Sequence, residues 1–178
     1  MHDTVVLTHA FHFACKRHAG QRRKGAAAEP YVNHLADVAE HIAVATGGAD
    51  VNLIVAALLH DTIEDVGVLR EEIVREFGED VAALVVEVTD DKSLEKAERK
   101  RLQIVNAVGK SDRAKIIKLA DKASNVRAIV TNPPDWSDDR KLEYAGWAEA
   151  VAEGLRGVNA RLERELEEAI AELRECYG

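Results

Sequence analysis

The chain has 178 residues, of which 47% are hydrophobic and 31% charged, so it is long enough to bury a substantial core and excludes a disordered or low-complexity chain. Its formal net charge of -8 excludes a general nucleic-acid binder, whose affinity comes from neutralising phosphates, and no uncharged run is long enough to span a bilayer. Aromatics make up 4%, and Ala, Val, Leu, Ile and Glu dominate, which favours helices.

Apolar residues recur at helical spacing almost throughout, and no run alternates as a strand would. Val5, Val6, Phe11, Phe13 and Ala14 predict a first helix ending near Gly20. Its apolar run is broken by His9 and His12 and lacks the basic lead-in of a secretory signal. Cys15 and Cys176 form no CxxC pair, so a disulfide framework is not expected and a cytoplasmic protein is. The segment GQRRKGAAAEPY reads as a loop punctuated by Gly25 and Pro30. A second helix, about residues 33–46, stops at Gly47-Gly48.

The third helix is predicted over about residues 51–64 and includes ALLHDTIEDV. Continuous helix would place His60 above Glu64 and Asp61 above Asp65. Polar groups beside a core are costly unless something satisfies them, and a metal ion is one way to do so. Two shorter helices over residues 69–77 and 80–88, separated by Gly78, precede a charged helix at about 94–107. Ser111 can cap the helix carrying AKIIKLADKASNVRAIV, which Pro133-Pro134 ends. Ser137 can begin another helix, and a charged closing helix covers about residues 158–176, with Gly154 and Gly157 as breaks before it. With no repeat or linker, the expected architecture is an all-α, compact, single-domain, multi-helix fold spanning residues 1–178.

Three segments converge on one centre. YVNHLADVAEHI places His34 at the start of an amphipathic helix, ALLHDTIEDV supplies His60 and Asp61, and KLADKASNVRAI sets Asp121 and Asn125 one turn apart behind an apolar run. His34, His60, Asp61 and Asp121 would make a mixed nitrogen–oxygen site suited to manganese, iron or another borderline divalent ion rather than to structural zinc. Arg22, Arg23 and Lys24 form one basic group, and Lys96, Arg99, Lys100 and Arg101 a second. On an acidic protein, such clusters suit a small anionic ligand. His9, His12, His18 and His41 read as surface or core-edge residues, and Trp136 and Trp147 as packing anchors. Nothing in the sequence fixes an oligomeric state.

RRKG…EPYVNH, ALLHDTIEDV, FGEDVAALVVEVTDDKS, ERKRLQ, AKIIKLADKASNVRAI and WSDDRKLEYAGWAEAVAEGL follow one another as in alarmone hydrolases. From about residue 11 to 155 the chain resembles the HD-type hydrolase domain of RelA/SpoT proteins, most closely the stand-alone small alarmone hydrolases that include metazoan SpoT homologs. The resemblance implies removal of the 3′-pyrophosphate from ppGpp or pppGpp, giving GDP or GTP and pyrophosphate, with Mn2+ as cofactor. It implies His34, His60, Asp61 and Asp121 as metal ligands and Glu64 and Asp65 as the catalytic acidic pair. Arg23, Lys24, Lys96, Asn125 and Tyr144 would contact substrate. Leu35 stands where relatives often have proline, and Ala123 and Ser124 replace bulkier residues. The alternatives are an NADPH phosphatase or other HD-type nucleotidase at the same site, and a helical module that binds alarmone without cleaving it.

Overall fold

The computed structural model describes residues 2–178. Ten helices follow in order: α1 (Asp3–Arg17), α2 (Val32–Thr46), α3 (Val51–Leu59), α4 (Thr62–Val66), α5 (Arg70–Phe77), α6 (Glu79–Val88), α7 (Lys96–Ala107), α8 (Asp112–Thr131), α9 (Asp138–Glu153) and α10 (Ala160–Tyr177). No strand forms among the described residues, and the β-type pairing present there is two isolated bridges, Arg22 with Pro30 and Gly25 with Pro134. The all-α expectation describes the molecule.

The helix ends follow from local chemistry. Ser111 Oγ accepts from the Ala114 amide and Ser137 Oγ from the Arg140 amide, satisfying amides that a helix start leaves free. Asp50 caps α3 through the Leu53 amide, and Asn159 caps α10 through the amides of Arg161 and Leu162. Gly47 closes α2 in the left-handed region at φ 64, a conformation that glycine adopts without steric cost.

The predicted third helix is instead two, and the break falls at His60 and Asp61. Thr62 Oγ1 donates to the Leu59 carbonyl at 2.6 Å, and His60 Nδ1 donates to the Ala57 carbonyl at 2.7 Å, so side chains take acceptors that the helix would otherwise use. Asp61 sits at φ -101, ψ 2, outside helical geometry, and α4 restarts with Asp65 N donating to Asp61 O.

One core joins these helices. Seven residues of α3, from Leu53 to Leu59, are buried, and α3 packs on α1, α2 and α6. Full burial of each such leucine or isoleucine contributes about 1.5–3 kcal/mol. In α8, Ile117, Leu119, Ala120, Ala123 and Val126 are fully buried, together with the polar Lys118, Asp121, Lys122 and Ser124. The helix packs against α10, α2, α6 and α9 and so runs through the middle of the fold. The closing helix α10 turns Leu162, Leu166, Ala169, Ile170 and Leu173 inward and carries its charges outside.

A polar clamp ties α2 to α10. His41 Nδ1 donates to Glu165 at 2.6 Å, its Nε2 lies 3.5 Å from Asp37, and Arg127 NH1 lies 3.5 Å from the same nitrogen. Its hydrogen bond to His41 holds the Asp37 carboxyl down at about 2, and Asp37, then Glu165, raise His41 against the opposing effect of burial. The Asp37 contribution is present above its ordinary pKa of 3.8 and is lost as pH falls toward 2. The His41 contribution is complete below 6.5 and is lost as pH rises through its elevated value. The clamp is therefore strongest between those limits. His41→Leu should lower the melting temperature by about 2–4 °C at pH 5.5, the shift that roughly 1 kcal/mol produces in a chain of this size, and by less at pH 9. Melting curves at the two pH values check this, and an equal shift at both would remove charge from the account.

Candidate active site

Three elements meet at a buried centre. His34 comes from the first turn of α2, His60 from the end of α3 and Asp121 from the middle of α8. One ligand atom from each lies within 4.8 Å of the others. Both Nε2 atoms are buried without a hydrogen-bond partner, which is costly for a protein but suits a bound cation. The far side of each ring is occupied. His60 Nδ1 donates to Ala57 O, and His34 Nδ1 lies 2.9 Å from the Ser124 hydroxyl, whose own proton is drawn toward Asp37. Those bonds fix the tautomers that aim both Nε2 lone pairs inward. Two imidazole nitrogens and a carboxylate oxygen are a fitting donor set for a divalent transition metal.

Asp61 stands beside this trio, with Oδ2 3.1 Å from His60 Nε2 and 3.9 Å from His34 Nε2. The same oxygen accepts from the Tyr31 hydroxyl at 2.7 Å. Asp121 is held from both ends: Lys122 Nζ donates to Oδ2 at 2.9 Å and Asn125 Nδ2 to Oδ1 at 2.6 Å. Burial raises the carboxyl pKa of Asp121, but Lys122 and the two imidazoles overcome it and hold the group well below the carboxylate range. At His34 burial wins and disfavours the imidazolium. At His60 the charges of Asp61 and Asp121 outweigh burial and push the ring up to about 10, so a cation entering this centre displaces a proton.

Beside the centre opens a cavity of about 710 Å³. Its lining includes Arg23, Lys24, Glu64, Asp65, Lys96, Asn125 and Tyr144, which brings every sequence-predicted catalytic and substrate-contacting residue to one wall or another. The metal-ligand candidates lie one hydrogen bond behind, reached through Asn125 and Tyr31. Arg22, Lys92, Arg99 and Lys100 add positive charge, so the two basic clusters of the sequence face one space, except Arg101, which turns outward to Glu98. Asn125 also accepts from Arg23 at 3.0 Å, linking the basic loop to α8.

The two acids differ in their surroundings. Glu64 is raised above the usual carboxyl value by burial, opposed by the Asp90 amide that donates to its Oε2 at 3.1 Å and reinforced by the charges of Asp90 and Asp61. Asp65 accepts two bonds, from Gln21 Nε2 at 2.6 Å and Lys92 Nζ at 2.5 Å.

Sequence reasoning passed over several of these groups. Tyr31 and Lys122 lie inside quoted motifs, but only their positions beside Asp61 and Asp121 disclose a role. Trp147 packs, as expected, yet it also lines the cavity, with Lys100 and Lys122 each 4.8 Å from its ring. Trp136 lines it too, under Arg140 at 4.3 Å. His18 is only 2% exposed, against the surface or core-edge position expected of it.

A family model described as HD domain matches residues 10–147. The guanosine-3′,5′-bis(diphosphate) 3′-pyrophosphohydrolase of Drosophila melanogaster is 49% identical over 88% of this chain and 88% of its own length. The enzyme of the same description from Homo sapiens is 45% identical over 96% and 94%. A solved structure described as a metazoan ortholog of SpoT that hydrolyses ppGpp superposes with a TM-score of 0.90 at 46% identity, covering 94% of both chains.

Proposed function

The chain belongs to the HD-domain family, and from that premise we propose that it is a guanosine-3′,5′-bis(diphosphate) 3′-pyrophosphohydrolase, cleaving ppGpp to GDP and pyrophosphate. The observation that carries the reading is the pairing of a buried His-His-Asp centre with a basic cavity on an acidic protein. A divalent cation, for which we favour manganese, would be held by His34, His60 and Asp121 with Asp61 beside them; when bound it supplies a Lewis acid that polarises phosphoryl oxygens and acidifies water.

The chain's own residues supply the rest. Arg23, Lys24 and Lys96 offset the charge of the two pyrophosphate arms, and pppGpp asks for the same contacts with one more phosphate. Tyr144 and Asn125 shape the wall against which the nucleoside rests. Asp65, held in place by Gln21 and Lys92, orients the attacking water. Glu64, whose burial keeps its proton longer, gives that proton to the departing 3′-oxygen as the phosphorus–oxygen bond breaks. No helix of the described residues is long and apolar enough to cross a membrane, and the free thiols of Cys15 and Cys176 suit the cytoplasm.

The test is pyrophosphate release from ppGpp by metal-stripped protein, with and without added manganese and beside NADPH as an alternative substrate. Manganese-dependent release from ppGpp is expected. Inertness toward ppGpp with the protein folded and metal bound would overturn the proposal, and phosphate release from NADPH alone would replace it with the phosphatase reading.

A related prediction concerns how the basic loop is seated. Ala26 N donates to Pro133 O, Ala27 N donates to Asn132 Oδ1, and a Cβ at Gly25 would overlap the backbone oxygen and side chain of Asn132. Gly25→Ala should lift the loop that carries Arg23 and Lys24 and raise KM for ppGpp about tenfold, a loss of roughly 1.4 kcal/mol, with a smaller effect on kcat. Steady-state kinetics decide it; an unchanged KM would mean that this loop does not contact substrate.

A further inference from the structure

His18 closes α1 and is nearly fully buried, yet its Nε2 has no hydrogen-bond partner. An apolar side chain in this place would avoid that cost, so the value of the imidazole lies in its other nitrogen. His18 Nδ1 lies 2.6 Å from Gln21 Oε1, and Gln21 Nε2 lies 2.6 Å from Asp65 Oδ2. Chemistry fixes the direction of this chain. An ionised carboxylate only accepts, so Gln21 must present its NH2 to Asp65; the amide oxygen also only accepts, so His18 must carry its proton on Nδ1.

The relay is anchored rather than loose. The amide of Gln21 donates to His18 O at 2.9 Å, and the amide of Tyr31 donates to Gln21 O at 3.1 Å. The His18 ring stacks on Tyr31 with centroids 5.4 Å apart and planes 15° from parallel, and the hydroxyl of Tyr31 holds Asp61. The second donor to Asp65, Lys92, has a side chain 47% exposed and is free to leave when a phosphate competes for it. The Gln21 branch, anchored through its backbone and through His18, gives Asp65 a fixed orientation.

We infer that Gln21 and His18 are positioning residues, which turn the Asp65 carboxylate toward the attacking water through the directed chain His18 Nδ1–H to Gln21 and Gln21 N–H to Asp65. This rests on the reading of the chain as a ppGpp hydrolase in which Asp65 orients water. Neither residue hydrogen-bonds His34, His60, Asp61 or Asp121, so the effect belongs in kcat and not in metal affinity.

The experiment compares the manganese-loaded full chain with Gln21→Met, His18→Leu, His18→Asn and the Gln21→Met/His18→Leu double variant. Pyrophosphate release from ppGpp is measured alongside metal content and melting temperature. Methionine keeps the length of glutamine without its bonds, and the asparagine amide nitrogen reproduces the Nδ1–H donor of histidine. The expected result is a fall in kcat of about 10–100-fold for Gln21→Met and His18→Leu, with KM and bound metal near the wild-type values. His18→Asn should recover most of the loss, and the double variant should be no worse than Gln21→Met alone. An active wild type with Gln21→Met unchanged overturns the inference alone, as does a rise in KM without a fall in kcat, which would make Gln21 a substrate contact. His18→Asn as poor as His18→Leu, with additive losses in the double variant, would reduce His18 to packing. A wild-type chain inert toward ppGpp would overturn the functional reading and this inference with it.

Discussion

Replacing His60 by alanine should empty the metal centre and stop turnover together. The centre has three donor atoms within 4.8 Å of one another, and His60 supplies one of its two buried, unpartnered imidazole nitrogens. With two donors left, a divalent ion has no closed coordination to prefer over water. Loss of a Lewis acid that contributes several kcal/mol in the transition state lowers pyrophosphate release from ppGpp on the order of 10³-fold. Bound manganese, measured on the purified protein, should fall from about one ion per chain to a small fraction of that. Asp61→Asn separates the two possible standings of Asp61. As a ligand beside the trio it costs roughly 10–100-fold in metal affinity, while leaving full occupancy attainable at high manganese. Metal retained in full by His60→Ala would move the centre elsewhere.

The second large effect falls on Glu64. Glu64→Gln keeps the shape and the bond from the Asp90 amide, loses the ion pair with Arg99 and cannot give up a proton, so kcat should fall about 10²–10⁴-fold with metal content nearly unchanged. The pH profile supplies the sign. A carboxyl raised by burial acts in its protonated form, so activity declines as pH rises through its elevated pKa. In Glu64→Gln that alkaline limb should vanish from the residual activity. Asp65→Asn should instead lower kcat and leave the alkaline limb in place, because the role proposed for Asp65, held by Gln21 and Lys92, is to orient water. The opposite pattern in kcat against pH would exchange the two roles.

Most helix boundaries were readable because the stop and start signals are local. Ser111, Ser137 and Gly47 act on amides and carbonyls within a few residues of themselves, and each does in the fold what its type suggests. The break at His60 was not readable from periodicity. ALLHDTI keeps the apolar spacing of one helix, and the interruption comes from the Thr62 hydroxyl and the His60 ring competing for carbonyls. That break matters for the site, since it brings the His60 ring within 3.1 Å of the next residue's carboxylate. The clustering of His34, His60 and Asp121 was legible because imidazole and carboxylate groups beside apolar runs need partners. The roles of His18 and Gln21 were not, because nothing in KRHAGQ states that the turn folds under Tyr31 and buries the ring. Buried lysines were equally hidden: Lys122 is tolerated inside α8 only because Asp121 and the Trp147 ring receive it.

The seating of the two halves of the site has a consequence for the order in which things leave it. Asp121 belongs to α8, packed by five other helices, whereas Arg23 and Lys24 ride on a loop joined to its neighbours by isolated bridges and a few single hydrogen bonds. Elements with many buried contacts open only with global unfolding, and segments with few open cheaply and often. The rim is therefore expected to open at lower cost than the centre behind it. In the proposed reaction, pyrophosphate and nucleotide would leave past this rim without disturbing an ion held behind it.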